Sequence, residues 1–437
     1  MTEKHEPLST VEIFQKLSRD GKDKVRQSID NYVYVLNHDP MLRGNVRYNI
    51  MTERDCILGN VGWPRIGDAI TDTDISYLKL YFERNYGLMG GERMMDAVRI
   101  VANEKQFHPV REYLESLTWD GQERIREVLP KYLGAEDCQL NYECLKVFLM
   151  GAISRVFQPG VKFELMLCLV GGQGAGKSSF FRLLAVRDEW FSDDLKKLDD
   201  ENVYRKLQGH WIIEMSEMIA TANAKSIEEI RGFISRTKET YKIPYDKFPG
   251  DHARQCVFAG TSNSLDFLPL DRAGNRRFLP ILVNPDKTEI HILENELESR
   301  AYIDQLWAEA MTIYRSGDFR LALSKEMEKE AKKRQREFMP EDTTTGRIQS
   351  YLDTLKEDVT CTLQIIAEGL GRLNEPTQRE IREVNDIMNN AIVGWVAGKQ
   401  KRLPGYGQQR TWRRKPEIEQ MDDFPVIDSQ DELPGDW

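Results

Sequence analysis

The stretch Leu165-Met166-Leu167-Cys168-Leu169-Val170-Gly171-Gly172-Gln173-Gly174-Ala175-Gly176-Lys177-Ser178-Ser179-Phe180-Phe181-Arg182-Leu183-Leu184-Ala185 decides the fold class. Leu165 to Val170 is an apolar run of strand length, and Ser179 to Ala185 continues with apolar residues at helical spacing. Between them, Gly171 to Ser178 matches G-x-x-x-x-G-K-[ST] in full. Each part has a physical reason. Glycines let backbone N–H groups curl around a phosphate, and the helix N-terminus adds positive potential. Lys177 neutralises β- and γ-phosphate charge, and Ser178 offers a hydroxyl to Mg²⁺. Gly171, Gly172, Gln173, Gly174, Ala175, Gly176, Lys177, Ser178 and Ser179 are thus the expected nucleotide site, with ATP and Mg²⁺ as its cofactors. The alternative is a glycine-rich turn carrying a surface lysine.

Outward from this loop, short apolar runs alternate with helical stretches from Phe163 to Val283, as in a sheet covered by helices, an α/β core. A magnesium site needs an acid at the end of a neighbouring strand. Trp211-Ile212-Ile213-Glu214-Met215-Ser216-Glu217 supplies two, one for the metal and one for the attacking water, with Glu214 the expected metal ligand beside Ser178. Glu217 reads equally as the start of an exposed helix. Cys256 to Asn263 is an apolar strand ending in small polar residues, where Asn263 either positions water against the γ-phosphate or serves ordinary turn chemistry. Asp271 to Phe278 places Arg276 and Arg277 between a turn and a strand. A guanidinium there suits either a neighbouring subunit's γ-phosphate or a structural salt bridge.

Bulk properties set limits around this core. At 437 residues the chain is long enough for two or three domains, and no apolar stretch approaches the ~18 to 20 residues of a membrane span. Met1 to Asp20 lacks the apolar core of a signal peptide, so a cytoplasmic location is expected. The six cysteines form no C-x-x-C pair, which argues against a structural metal or a disulfide framework. The net charge of -10 conceals an asymmetry: Lys399 to Lys415 contains only basic charges and Glu417 to Trp437 only acidic ones. The expected order is a mainly helical N-terminal domain over 1–150 and the ATPase core over 151–320. A helical, winged-helix-like DNA-binding domain over 321–416 and an acidic, disordered tail over 417–437 follow.

Taken as a set, the loop, the Trp-Ile-Ile-Glu-x-x-Glu acids, Arg236 to Tyr245 ahead of Thr261-Ser262-Asn263, and Gly274-Asn275-Arg276-Arg277 resemble the virulence-associated protein E family of phage and mobile-element proteins. That family is related to superfamily 3 helicases and poxvirus-type primase-helicases. The resemblance also takes in Phe107-His108-Pro109-Val110, Trp119-Asp120-Gly121, Phe157-Gln158-Pro159-Gly160 and Gly405 to Arg410, and so runs from about Tyr34 to Lys415. It implies an AAA+-type core, a homo-oligomeric, hexameric ring with ATP between neighbours, and translocation on single-stranded or forked DNA. Host replication proteins would be possible partners.

The resemblance further implies a channel-facing hairpin at Tyr241 to Arg254, where Lys242, Tyr245, Lys247 and Arg254 would meet DNA; by residues alone this reads as a turn. Arg254 has a second option, a neighbouring subunit's nucleotide. The pattern from Thr345 to Lys415 resembles a winged helix-turn-helix, with Arg379 and Arg382 facing a groove. Lys399, Lys401, Arg402, Arg410, Arg413 and Arg414 would lie on phosphates. A solvated helical cap is the alternative. Asp72-Thr73-Asp74 superficially offers paired metal carboxylates for a primase, but it precedes the amphipathic run Ile75 to Tyr86 and reads as a helix cap. The expected activity is an ATP-dependent DNA helicase. The competing readings are an ATP-switched DNA-binding initiator or regulator, and a non-helicase P-loop enzyme such as a kinase.

Overall fold

The computed structural model describes residues 8–195, 198, 203–215, 224–242, 248–270, 275–372 and 374–415, the side chains of 224–226 excepted. Glu217, Tyr245, Lys247 and the acidic tail lie outside these. The chain forms two compact units, Met1–Pro340 and Glu341–Trp437.

The first unit begins with helices Thr10–Lys16, Ile29–His38, Asp72–Tyr86 and Gly91–Glu104. The segment expected to be mainly helical also carries a small sheet. In it β1 (Val46–Asn49) lies between antiparallel β2 (Arg54–Ile57) and parallel β3 (Gln106–Phe107). Thr71 caps the helix Asp72–Tyr86, and Asp74 closes a capping box with it. Asp74 also accepts from Trp63 Nε1 and Arg65 Nε, both at 2.8 Å, so the Asp-Thr-Asp triplet is a helix start with its buried acid already paired. Burial works against it, yet Arg65, Trp63 and Thr71 together hold the Asp74 carboxyl far below the ordinary carboxylate range.

The core sheet has five parallel strands in the order β10-β4-β9-β6-β5: Phe278–Leu282, Met166–Val170, Val257–Ser262, Ile212–Glu214 and Phe191–Ser192. Every residue of β4 and β9 is buried, as expected when helices cover both faces of a parallel sheet. Alternation along β4 sorts its side chains. Leu167 and Leu169 join a cluster with helices Gln139–Phe157, Lys177–Leu184 and Glu296–Ser316, and Met166, Cys168 and Val170 join another with Ile227, Ile230 and Phe233 of helix Ala224–Ile234.

Tryptophan indoles tie the first layer down. Trp211 donates to Ala152 O at 3.1 Å, Trp307 donates to Leu184 O at 2.9 Å, and their rings lie 4.4 Å apart. Each buried aromatic contributes about 1.5 to 3 kcal/mol by desolvation alone. Helix Lys325–Glu337 packs against β10 and belongs to this unit, with Gln335 Nε2 donating to Phe278 O at 2.7 Å. Between β6 and β9, strands β7 (Lys238–Tyr241) and β8 (Gly250–Ala253) pair as an antiparallel ribbon apart from the main sheet. The six cysteines are free, and all but Cys138 are buried.

The second unit runs helix Thr343–Thr354, β11 (Val359–Cys361), a helical stretch over Thr362–Gly369, helix Gln378–Asn390, β12 (Trp395–Leu403) and β13 (Gly407–Arg414). Its sheet order is β11-β13-β12, wholly antiparallel. Ile348, Leu352, Ile365, Val384, Ile387, Trp395 and Trp412 form a core of its own.

Candidate functional site

Strand β4 delivers the chain into the glycine loop at its C-terminal end, and helix Lys177–Leu184 leaves from it. Gly176, the residue before the helix, has φ 75°, a left-handed conformation that glycine adopts without strain. Gly171 approaches Val283 O so closely that a Cβ there would collide with it. The loop therefore requires glycine at both ends for reasons of backbone, independent of any ligand.

Three strand ends converge on this loop. Lys177 is only 7% exposed, and its Nζ donates to Gly171 O at 2.8 Å, Gly172 O at 2.7 Å and Asn263 Oδ1 at 2.9 Å. Burial pulls its pKa down, opposed by the charge of Glu214. Ser178 Oγ donates to Glu214 Oε1 at 2.7 Å, and Thr261 Oγ1 donates to the same oxygen. Glu214 is 1% exposed, and among the described residues its Oε2 has no hydrogen-bond partner. Burial pushes its pKa up, against the pull of the Thr261 and Ser178 hydroxyls.

A buried carboxylate with an unpaired oxygen is costly, since desolvating an ion costs several kcal/mol even after relaxation. A carboxylate oxygen so placed beside a serine hydroxyl suits a divalent cation. The hydroxyl of Ser178 and the carboxylate of Glu214 are oxygen donors of the kind hard divalent ions take, and the lysine opposite is the partner a phosphate takes. The residues present therefore fit a magnesium nucleotide. The contact of Thr261 with Glu214 is not legible in the sequence, where the one signal is a hydroxyl inside an otherwise apolar strand.

The geometry around the loop thus matches the order of motifs along the chain, and a comparison with protein families agrees: the virulence-associated protein E-like domain matches over residues 114–340. The chain belongs to the virulence-associated protein E-like family. No curated protein matches it. Among solved structures, the A-form apo structure of the NrS-1 C-terminal region is similar at 15% identity and a TM-score of 0.49, covering 89% of this chain and all of that one. Another A-form apo structure of that region aligns at 14% identity with a TM-score of 0.48, over 85% of this chain and 96% of that one. The match begins downstream of β1 to β3, so the small N-terminal sheet lies outside the matched virulence-associated protein E-like domain.

The remaining sequence-derived candidates of this virulence-associated protein E-like chain divide by exposure. Arg276 and Arg277 sit at the N-terminal end of β10, beside Glu164: Arg277 Nη2 is 3.3 Å from Glu164 Oε2 and Arg276 Nη2 is 3.7 Å from Glu164 Oε1. Their side chains are 74% and 21% exposed respectively, so Arg276 is the one free to reach outward. Because β10 is parallel to β4 with Phe278 opposite Met166, both arginines lie at the end of the sheet opposite the glycine loop. A strand of five residues spans roughly 17 Å.

Lys242 is exposed at the end of β7, and Phe248, 79% exposed, stands before β8. Arg254 does not fit the DNA-contact role. It is 3% exposed, its Nη1 donates to Phe233 O at 2.5 Å, Nη2 is paired with Glu239, and its guanidinium lies 4.8 Å from the Phe233 ring. The arginine is held inside the subunit by a carboxylate and a carbonyl, and its burial keeps it from a phosphate at the surface. Arg414 is similarly engaged: Nη2 donates to Leu355 O at 2.7 Å, Nε lies 3.3 Å from Asp358 Oδ1, and the guanidinium lies 5.0 Å from the Trp395 ring. Arg410 and Arg413, by contrast, are exposed on β13, as are Lys399, Lys401 and Arg402 on β12. Arg379 and Arg382 are exposed on helix Gln378–Asn390.

Proposed function

We propose that this chain is an ATP-dependent DNA translocase and helicase that acts, as a homo-oligomeric ring of hexameric type, in replication of a phage or mobile genetic element. The convergence of Lys177, Ser178, Glu214 and Asn263 at three neighbouring strand ends carries the reading. The strand holding Glu214 is separated from the P-loop strand by β9, which Asn263 directly follows, an arrangement expected of an AAA+-type core and a point against the kinase alternative.

Mg²⁺-ATP, when bound, supplies the phosphoanhydride bond to be cleaved and a metal that neutralises developing charge. The chain's own residues do the rest. Lys177 exchanges its carbonyl and amide partners for phosphate oxygens. Ser178 and Glu214 hold the metal shell. Asn263 orients the attacking water, with Glu214 or Glu217 taking its proton. Arg276 cannot serve its own subunit's loop from the far end of the sheet, so it completes a neighbour's site, which is why a ring is needed.

Lys242 at the end of β7, together with Tyr245 and Lys247, which follow it in sequence, grips single-stranded DNA by charge and stacking. The second unit, with its helix-strand-helix-helix-strand-strand order, acts as a winged helix-turn-helix whose exposed Arg410, Arg413 and neighbouring cations lie on phosphates. Among the described residues no helix is long and apolar enough to cross a membrane, and a cytoplasmic site of action agrees with this.

The test is steady-state ATP hydrolysis with and without single-stranded DNA, for the native chain and Lys177→Ala, followed by unwinding of a forked duplex. DNA-stimulated hydrolysis lost in the variant, with unwinding, supports the motor. Stimulated hydrolysis without strand separation would move the reading to an ATP-switched initiator, and hydrolysis indifferent to DNA would overturn it.

A further inference from the structure

The arginine turn and Ser235, which leads into the β7–β8 ribbon, are far apart in sequence, yet they meet at one carboxylate. Glu164 lies two residues before β4, at the end of the sheet opposite the P-loop. Its Oε2 takes Arg277 at 3.3 Å from Nη2 and lies 3.0 Å from Ser235 Oγ, and its Oε1 faces Arg276 Nη2 at 3.7 Å. Ser235 follows helix Ala224–Ile234 directly, and β7 begins three residues later at Lys238. The Ser235 hydroxyl also lies 2.8 Å from Arg231 O, so its single proton is divided between the two acceptors.

A second link runs parallel to the first. Arg231 Nη2 donates to Asn275 Oδ1 at 2.7 Å, and Asn275, 3% exposed, fixes the turn by donating to Pro269 O at 3.1 Å. At the ribbon end, the backbone N–H of Arg254 donates to Thr237 O at 2.9 Å, and the pairing of Arg254 with Glu239 holds β8 against β7. Helix Ala224–Ile234 is therefore fastened to the arginine turn at Asn275 and Glu164, and it carries the ribbon at its C-terminal end.

We infer that Glu164 is a positioning residue that couples the arginine turn to the β7–β8 ribbon, so that engagement of Arg276 by a neighbouring subunit's nucleotide is transmitted to the DNA grip. This rests on the motor reading above. When Arg276 is drawn outward to a phosphate, Oε1 of Glu164 loses its cation, Arg277 is free to move across to it, and the Ser235 contact on Oε2 changes with it. The ribbon then shifts with the helix end. The neighbour's nucleotide state thereby sets where this subunit holds the strand.

The experiment compares the full native chain with Glu164→Gln and Ser235→Ala, by backbone hydrogen exchange and by ATP hydrolysis with and without single-stranded DNA. Glu164→Gln retains side-chain size and removes the charge. It is expected to speed exchange by about tenfold in both Asn275–Arg277 and the strands Lys238–Tyr241 and Gly250–Ala253. It is also expected to lower the ratio of DNA-stimulated to basal turnover with KM for ATP unchanged.

Ser235→Ala should loosen the ribbon alone, lower the same ratio, and leave basal turnover at its native value; the double variant should be no worse than Glu164→Gln. Faster exchange confined to the arginine turn in Glu164→Gln, or a native stimulation ratio in Ser235→Ala, overturns the coupling while leaving the motor reading intact. Hydrolysis that ignores DNA in the native chain overturns the motor reading and the coupling with it. That failure is recognisable because it belongs to the native protein and not to the variants.

Discussion

Arg276→Ala, mixed in controlled proportion with Lys177→Ala, separates a site completed by a neighbour from one completed within the subunit. The two residues stand at opposite ends of a parallel sheet, roughly 17 Å apart along the strands, beyond the reach of an arginine side chain folded back over its own core. A trans-acting arginine is worth ~10³ to 10⁵ in turnover, about 4 to 7 kcal/mol of transition-state stabilisation. Each variant alone should therefore be nearly silent in ATP hydrolysis. In an equal mixture, about half the sites carry an intact P-loop and about half of those face an intact arginine, so about a quarter of native turnover should return. The assay is a titration of one variant into the other at fixed total protein, after subunit exchange. No recovery at any ratio, with both variants shown to enter the same assembly, would refute the reasoning. Recovery for Arg277→Ala but not for Arg276→Ala would show that exposure had selected the wrong arginine.

Other consequences follow from groups already described. The folded protein binds a proton to Glu214 more readily than an unfolded chain does, because burial raises its pKa. The ionised form thus costs stability as pH rises through that value, and Glu214→Gln should melt higher than the native protein at neutral pH, with the difference vanishing on acidification. For the same reason Mg²⁺-dependent nucleotide binding should weaken on acidification before an ordinary carboxylate would titrate, and excess Mg²⁺ should move that limb to lower pH. The Arg254–Glu239 pair has side chains 1% and 7% exposed, so Glu239→Ala should cost about 3 to 5 kcal/mol in chemical denaturation, and Arg254→Met with Glu239→Leu should recover most of it. Removing the exposed cations Lys401, Arg402 and Arg410 should reduce the salt dependence of duplex DNA binding by about 0.9 in log–log slope per lost phosphate contact, and an unchanged slope would overturn the proposed DNA role of the β12–β13 hairpin.

The parts of the site legible in the sequence are those whose reason is local. A strand, a glycine loop and a helix N-terminus are consecutive, so the loop could be read directly from Leu165 to Ala185, and the Thr71–Asp74 capping box settled the Asp-Thr-Asp triplet within a few residues. Glu214 is readable as a strand-end acid, but only the fold brings Ser178 and Thr261 to the same oxygen and leaves the other without a hydrogen-bond partner among the described residues. What escaped the sequence was decided across distance. Arg254 stands in a basic and aromatic stretch that suits DNA, yet Glu239, fifteen residues upstream, claims it once β7 and β8 pair. Glu164 has no motif at all: a single acid ahead of an apolar strand carries no signal until Ser235 and Arg277 are folded beside it. The small sheet of β1, β2 and β3 escaped for another reason, since strands of four, four and two residues are too short for alternation to stand out from helical spacing.

The polarity of the core sheet joins these observations. All five strands run the same way, so their two ends are chemically different: loops at the C-terminal ends gather Lys177, Ser178, Glu214 and Asn263, while the N-terminal ends of β4 and β10 gather Glu164, Arg276 and Arg277. Neither group can serve the other within one chain, because the sheet that fixes both also holds them apart. In the proposed ring, a second copy placed head to tail would bring one end against the other, and each further copy would repeat the same contact. On the proposed motor reading, Glu214 and the exposed Arg276 would belong to one site shared between neighbours, and the carboxylate of Glu164 would link that site to the β7–β8 ribbon.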